Sequence, residues 1–431
     1  MGERPVKALI LAAGMSTRMK SGRPKVLHEV CGRPILGWVL DACRAAGIRD
    51  LLVVVGWGRD QVMEAFAGDR DVTWIVQDPQ RGTGHAVMAA RDDPASGLKG
   101  FAGDLVVLVG DAPLLRPETV RALLEAHRHE AAAVTLVTAR LEDPKWFGRI
   151  VRDASGRVTG IVEARDAGPE QLAIKEVNPS YYAFRWPDLA GVLGRITTAN
   201  VKGEYYLTDA IGLLIGDGRK AAAVAAAEAE EVQAVNSRQD LALVAALMRR
   251  RILARLMAAG VTIEDPATTY IDADVTVGED TVIRPGTVIR GPSRIGSRCT
   301  IGPWAHLRPG TVLDDGAEAG AFVETKNAHL ASGAVARHLS YLGDCEVGPR
   351  ANIGCGTITA NAEGGRKFRT RIGADAQVGA GTILVAPTSV GDGAKTGAGA
   401  VVTRRHPVPA GETAVGVPAK PFKPSQKRAS P

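Results

Sequence analysis

Val282-Ile283-Arg284-Pro285-Gly286-Thr287-Val288-Ile289-Arg290-Gly291-Pro292-Ser293-Arg294-Ile295-Gly296 sets the architecture of the second half of this chain. An aliphatic residue returns every six positions, and the rhythm extends beyond the quotation. It runs through Val277, Ile283, Ile289, Ile295, Ile301, Leu307 and Leu313, and returns at Ile372, Val378, Leu384 and Val390. Small residues and Pro-Gly turns fill the gaps. A strict six-residue repeat marks a left-handed parallel β-helix, in which each coil buries one apolar residue per flat face and the prism grows by stacking. Exposed flat apolar strips on such a prism favour association.

Two stretches interrupt the repeat, and breaks in a solenoid are where loops and chemistry sit. One runs from Glu324-Thr325-Lys326-Asn327 to His338-Leu339-Ser340-Tyr341-Leu342-Gly343-Asp344, the other from Asn361 to Arg369. His338 suits proton removal from an amine attacking a thioester, because an imidazole is the side-chain type most often used as a general base. Arg308 and Lys326 suit a sugar phosphate. Tyr341 and Asn352 suit the sugar itself.

Towards the N-terminus, Ser237 to Ala259 reads as one helix. Leu241, Val244, Met248, Ile252 and Leu256 recur at helical spacing, Ser237 and Asp240 form a capping box, and Gly260 supplies the stop. This gives a first domain over residues 1–235, a linker helix over 236–260 and a β-helix over 261–431 that ends in a basic tail, Lys420 to Arg428.

In the first domain, short apolar runs alternate with amphipathic stretches. Ala8–Leu11, Leu51–Val55, Trp74–Val76, Leu105–Val109 and Ala133–Val137 alternate with runs such as Ile35–Ala46 and Pro117–His129. That order implies a Rossmann-like α/β sheet, mostly parallel, with ligands at the carboxyl ends of its strands. Leu11-Ala12-Ala13-Gly14-Met15-Ser16-Thr17-Arg18 follows the first strand, and its backbone N–H groups suit an anion. Arg18 and Lys25 add positive charge. After the third strand, Gln77 can donate and accept towards a nucleobase edge, and Gly82 and Thr83 allow close backbone approach. Asp111, at the end of a strand, suits Mg²⁺, and Asn236 offers a second oxygen. From Trp146 to Ala183 the pattern becomes antiparallel, a flap over a sugar, with Gly148, Glu163 and Asn178 as contacts. Thr208 or Asp209 is expected to cap the following helix.

Composition narrows the classes. The 431 residues carry a formal charge of +6. Basic residues are not interleaved with stacking aromatics, so no nucleic-acid partner is expected. Cys31, Cys43, Cys299, Cys345 and Cys355 include no C-x-x-C pair, which points to a reducing cytoplasm. No apolar run has the length of a membrane span or a signal-peptide core.

LAAGMSTRM followed by RPK resembles the signature of sugar-nucleotide pyrophosphorylases, with Ser16 in place of the usual second glycine. RGTGHA, GDAPL, GRI, GIVE, GEYYLTD and VNSR, in order, are similar to the uridylyltransferase half of the bifunctional N-acetylglucosamine-1-phosphate uridylyltransferase / glucosamine-1-phosphate acetyltransferase family. GPWAHLRPG, FVETKNAHL, RHLSYLGD, NIGCGTITAN and KFRTRIG resemble its acetyltransferase half, so the resemblance covers nearly the whole chain.

The resemblance implies a two-step transferase that makes UDP-N-acetylglucosamine, the precursor of peptidoglycan and lipopolysaccharide. Acetyl-CoA acetylates glucosamine 1-phosphate, and the resulting N-acetylglucosamine 1-phosphate reacts with UTP and Mg²⁺ to release pyrophosphate. It implies Leu11, Ala12, Ala13, Gly14, Lys25, Gln77, Gly82, Thr83, Gly148, Glu163, Asn178 and Asn236 as substrate contacts, and Asp111 with Asn236 as metal ligands. It places Cys355, Asn361, Ala380 and Ala398 at coenzyme A, and it implies a homotrimer with the acetyl site between subunits. Val109, Pro179-Ser180, Ala362, Ala380 and Gly416 depart from the family pattern. Two other readings stay open: nucleotidyl transfer alone with the β-helix as a scaffold, and a non-catalytic regulatory subunit.

Overall fold

The computed structural model describes residues 4–15 and 17–421. Ser16 and the tail beyond Pro421, on which two of the expectations fall, lie outside the described residues. The chain divides into two compact units, with the boundary in sequence between Leu247 and Met248. The division falls inside one unbroken helix, Arg238–Ala258. Ser237 and Asp240 form the expected box, each backbone N–H donating to the other's side chain at 2.8 and 3.2 Å. Gly260, with φ +90°, ends the run in a conformation that favours glycine.

In the first unit, strands Val72–Val76, Leu51–Val55, Val6–Leu11 and Asp104–Val109 lie side by side and parallel. Leu51 to Val55 and Leu105 to Leu108 are wholly buried, as continuous aliphatic strands covered on both faces should be. Each such side chain contributes ~1.5–3 kcal/mol on burial. Helices Ile35–Ala45 and Pro117–His129 cover one face, and Thr83–Asp92 and Leu207–Gly216 the other. The strands after Val6–Leu11 depart to opposite sides of it, which opens a crevice at the carboxyl end of the sheet. Beyond Asp104–Val109 the sheet turns antiparallel through Tyr182–Arg185 and Val134–Arg140, then Glu176–Asn178, Gly148–Arg152 and Val158–Val162.

One local expectation fails. Neither Thr208 nor Asp209 caps its helix; Tyr206 holds the N-cap position without a side-chain bond. The open N–H of Leu207 donates instead to Thr83 Oγ1 at 3.0 Å. The cap comes from another helix far away in sequence, so it was not visible locally.

The second unit is the β-helix. Ile283, Ile301, Ala319, Ala336, Ile353 and Val378 stack on one face. Ile271, Ile289, Leu307, Thr325 and Leu342 stack on a second, and Val277, Ile295, Leu313, Leu330, Val347, Ile372 and Val390 on a third. All but Val277 are buried. Where threonine enters a column its hydroxyl is paired: Thr325 with Thr311 at 2.8 Å, Thr396 with Thr382 at 2.9 Å. The breaks in rhythm have simple causes. The coil from Thr325 to Leu342 is one residue shorter than its predecessor, and a hairpin pairing Ala362–Glu363 with Arg366–Lys367 is inserted further on.

Candidate active sites

The crevice of the first unit begins where Leu11 leaves its strand. Ala12 N–H donates to Val54 O at 2.9 Å, and Gly110 N–H to Leu11 O at 2.9 Å, which pins the loop to both neighbouring strands. Among the described residues, no acceptor meets the N–H groups of Ala13, Gly14 or Met15. A Cβ built on Gly14 meets nothing within 4 Å, so a cradle stays open there. Such a nest suits phosphate oxygens.

Lys25 rises beside this loop from the short helical turn Lys25–Leu27. Its ammonium group pairs with the Asp111 carboxylate and donates to Asn236 Oδ1 at 3.2 Å. Arg18 Nη2 donates to the same Asn236 oxygen at 3.0 Å. Arg18, Lys25, Asp111 and Asn236 therefore converge, although they lie up to 218 positions apart. Among the described residues no cluster of three or more His, Cys, Asp or Glu side chains suits a metal. One carboxylate and one amide oxygen sharing one ammonium group form a partial, all-oxygen set. That set fits Mg²⁺, which completes its shell from phosphates and water.

The crevice holds about 480 Å³ and is lined by Leu11 to Met15, Lys25, Gln77, Gly82, Thr83 and Asp111. Gly82, with φ +106°, lies so close to Tyr205 that a Cβ would fall 2.6 Å from its carbonyl oxygen. The expectation for Gln77 needs correction. Its Nε2 already donates to Gly82 O at 3.0 Å and meets His85 Nδ1 at 3.1 Å. Gln77 can accept from a ligand but has no hydrogen left to donate.

A second lobe of about 260 Å³ shares Leu11, Thr83, Lys202 and Glu204 with the first, and adds Arg18, Glu163, Tyr206 and Thr208. Thr208 Oγ1 donates to Glu163 Oε1 at 3.2 Å. Burial nevertheless raises the Glu163 carboxyl above the ordinary range, with Asp166 and Asp209 adding to the effect. Burial also pushes the Tyr206 hydroxyl up to about 12. Gly148 and Asn178 do not line either lobe. They pair across adjacent strands, and Asn178 is held by Tyr182 Oη at 2.7 Å and Ser180 N–H at 3.1 Å. Thr208, Lys202 and Glu204 were missed as site residues. Only the GEYYLTD stretch, which holds Glu204 and Thr208 and directly follows Lys202, could have marked them.

In the second unit, Arg308 pairs with Glu324 at 3.0 Å. Lys326 stands in register with Gly343. A Cβ on Gly343 would strike the Tyr341 hydroxyl and the Asn361 amide, so these two groups close over the glycine. The Asn361 side chain donates to Asp344, which also accepts from Asn327 at 2.8 Å. His338 is exposed at the end of its strand. Ser340 Oγ and Tyr341 N–H bond to Gly354 O and Thr357 O, which stacks the His338 coil on that of Cys355. Gly381 N–H donates to Cys355 O and Gly399 N–H to Ala380 O. His338, Cys355, Ala380 and Ala398 thus precede the corners of successive coils and form one exposed column. Asn352 lies on a different sheet, in register with Val335.

Residues 8–173 match the model of the MobA-like NTP transferase domain, and residues 369–404 match that of the bacterial transferase hexapeptide. The Bifunctional protein GlmU of Trichlorobacter lovleyi is 44% identical over 434 residues, covering 93% of this chain and 94% of its own. That of Pelobacter propionicus is 43% identical over 444 residues, covering 95% of each. The chain belongs to the GlmU family. The GlmU of Mycolicibacterium gilvum, 45% identical over 448 residues, covers 94% of this chain and 88% of its own. GlmU relatives therefore span both units, and the chain carries both a nucleotidyltransferase fold and a hexapeptide β-helix. Among the described residues no helix is long and apolar enough to cross a membrane.

Proposed function

We infer that this chain makes UDP-N-acetylglucosamine in two steps, as a bifunctional uridylyltransferase and acetyltransferase of the GlmU family. The observation that carries the first activity is Lys25 bridging Asp111 and Asn236 at the wall of a crevice with open N–H groups.

In the uridylyl step the triphosphate of UTP lies against Ala13 to Met15. An oxygen of N-acetylglucosamine 1-phosphate attacks the α-phosphorus, the bond to the β-phosphate oxygen breaks, and pyrophosphate leaves. Arg18 and Lys25 neutralise charge on the oxygens in line. Asp111 and Asn236 would hold Mg²⁺, which supplies charge neutralisation on the phosphates when bound. Glu163, held by Thr208, orients the sugar.

In the acetyl step His338 takes the proton from the amino group of glucosamine 1-phosphate as that nitrogen attacks the thioester carbon, and the coenzyme A thiolate leaves. Arg308 and Lys326 hold the phosphate, and Tyr341 and Asn352 the sugar. Coenzyme A lies along Cys355, Ala380 and Ala398, with Asn361 at its side. This column beside His338 favours catalysis over a scaffold-only role for the β-helix. The active assembly is a homotrimer working in the cytoplasm.

The test incubates purified protein with glucosamine 1-phosphate, acetyl-CoA, UTP and Mg²⁺. The reading expects free thiol, pyrophosphate and a product with the mass of UDP-N-acetylglucosamine. Pyrophosphate only when pre-acetylated sugar phosphate is supplied, with no thiol released from acetyl-CoA, would remove the acetyl step.

A further inference from the structure

We propose that His85 sets the base specificity of the nucleotide crevice by holding the Gln77 amide in one orientation. This inference rests on the uridylyl-transfer reading and adds to it a residue that need not touch either substrate.

Gln77 is 3% exposed, so its amide orientation is decided by the protein. Gly82 O can only accept, so the atom that meets it at 3.0 Å is Nε2. The second hydrogen of that nitrogen points to His85 Nδ1 at 3.1 Å. His85 must then accept at Nδ1 and carry its proton on Nε2. Burial and the neighbouring Arg81 both lower the pKa of the ring, against a smaller opposing pull from Asp92, which favours the neutral, accepting form. The ring is backed by Tyr205, with centroids 6.2 Å apart and planes at 30°. Tyr205 is itself fixed by backbone bonds to Gly84 and Arg81 at 2.7 and 2.8 Å.

With both Nε2 hydrogens engaged, Oε1 is the one amide atom left for a ligand, and no described residue donates to it. An oxygen recognises a base that offers an N–H. Uracil carries a hydrogen at N3, whereas cytosine presents a bare acceptor there. The fixed amide therefore admits the first and repels the second. Without the His85 acceptor one bond remains, and a turned amide would offer its NH₂ to cytosine N3. His85 acts through Gln77 and is a positioning residue.

The experiment compares kcat/KM for UTP and CTP, with N-acetylglucosamine 1-phosphate, in wild type, His85→Leu and His85→Asn. Leu keeps the bulk without an acceptor; Asn keeps an oxygen near the position of Nδ1. Thermal unfolding reports an intact first unit, and thiol release an intact second. The UTP-over-CTP ratio should fall up to roughly tenfold in His85→Leu, the worth of one neutral hydrogen bond, and recover in His85→Asn. Should Leu unfold the first unit, His85→Gln, whose polar atoms lie one bond further out, takes its place. Equal losses on both nucleotides, or Asn behaving like Leu, would overturn the proposal. A wild-type enzyme without UTP turnover would instead overturn the uridylyl reading beneath it.

Discussion

Replacing Lys25 by alanine probes the first site where it is most concentrated. The ammonium group bridges Asp111 and Asn236, and the Lys25 and Asp111 side chains are only 13% and 20% exposed. A charge in such a setting, ~4 Å from a phosphate oxygen at an effective dielectric near 20, contributes about 4 kcal/mol. Loss of one positioned donor to a developing charge costs ~100- to 1000-fold in rate, which corresponds to the same range. Stability should change little, because water still reaches Asp111 and a partly exposed pair contributes about 1 kcal/mol or less. The assay follows pyrophosphate release at saturating Mg²⁺, with thermal unfolding and thiol release measured on the same preparation. Expected are a loss of ~100- to 1000-fold in kcat/KM for uridylyl transfer, a nearly unchanged Tm and unchanged acetyl transfer. Lys25→Arg should recover only part, because a planar guanidinium does not place its donors like an ammonium. Uridylyl transfer indistinguishable from wild type in Lys25→Ala would refute the reasoning.

Three further outcomes follow from the same geometry. His338→Ala should lower thiol release ~100- to 10,000-fold while pyrophosphate release from pre-acetylated substrate is retained, as both assays will read. Gly82→Ala should destabilise the first unit by ~1–3 kcal/mol in denaturant titration, because φ is +106° and the new Cβ meets the Tyr205 carbonyl. Glu163→Gln should raise Tm at neutral pH. Burial raises the folded carboxyl above its unfolded value, so the native state binds more protons and stability falls as pH climbs through that window. The gain should disappear in acid, where Glu163 is protonated in both states, and sugar phosphate KM should rise.

Much of this was legible in the chain because both folds write themselves in short periods. The six-residue return of Ile283, Ile289 and Ile295 maps onto three faces of the prism, and the runs at Leu51 and Leu105 map onto buried strands. What escaped depends on atoms brought together from afar. Thr83 serves the helix at Leu207, and Thr208 serves Glu163, so neighbouring residues alone do not reveal how this helix start is satisfied. The side-chain type of Gln77 allows both donation and acceptance. Its donors are engaged by Gly82 O and His85, and nothing in the composition of the stretch sets the direction of an amide. Cys355, Ala380 and Ala398 are named by the resemblance alone; their alignment with His338 in one column cannot be counted off from the repeat, since a shortened coil and an inserted hairpin shift the spacing.

A crystal structure grown with UTP and Mg²⁺ bears most directly on where the nucleotide goes. Triphosphate oxygens should lie against the N–H groups of Ala13, Gly14 and Met15, with Lys25 alongside and the base N3 facing Gln77 Oε1. Nucleotide density elsewhere on the first unit, with that loop and Gln77 untouched, would contradict the account.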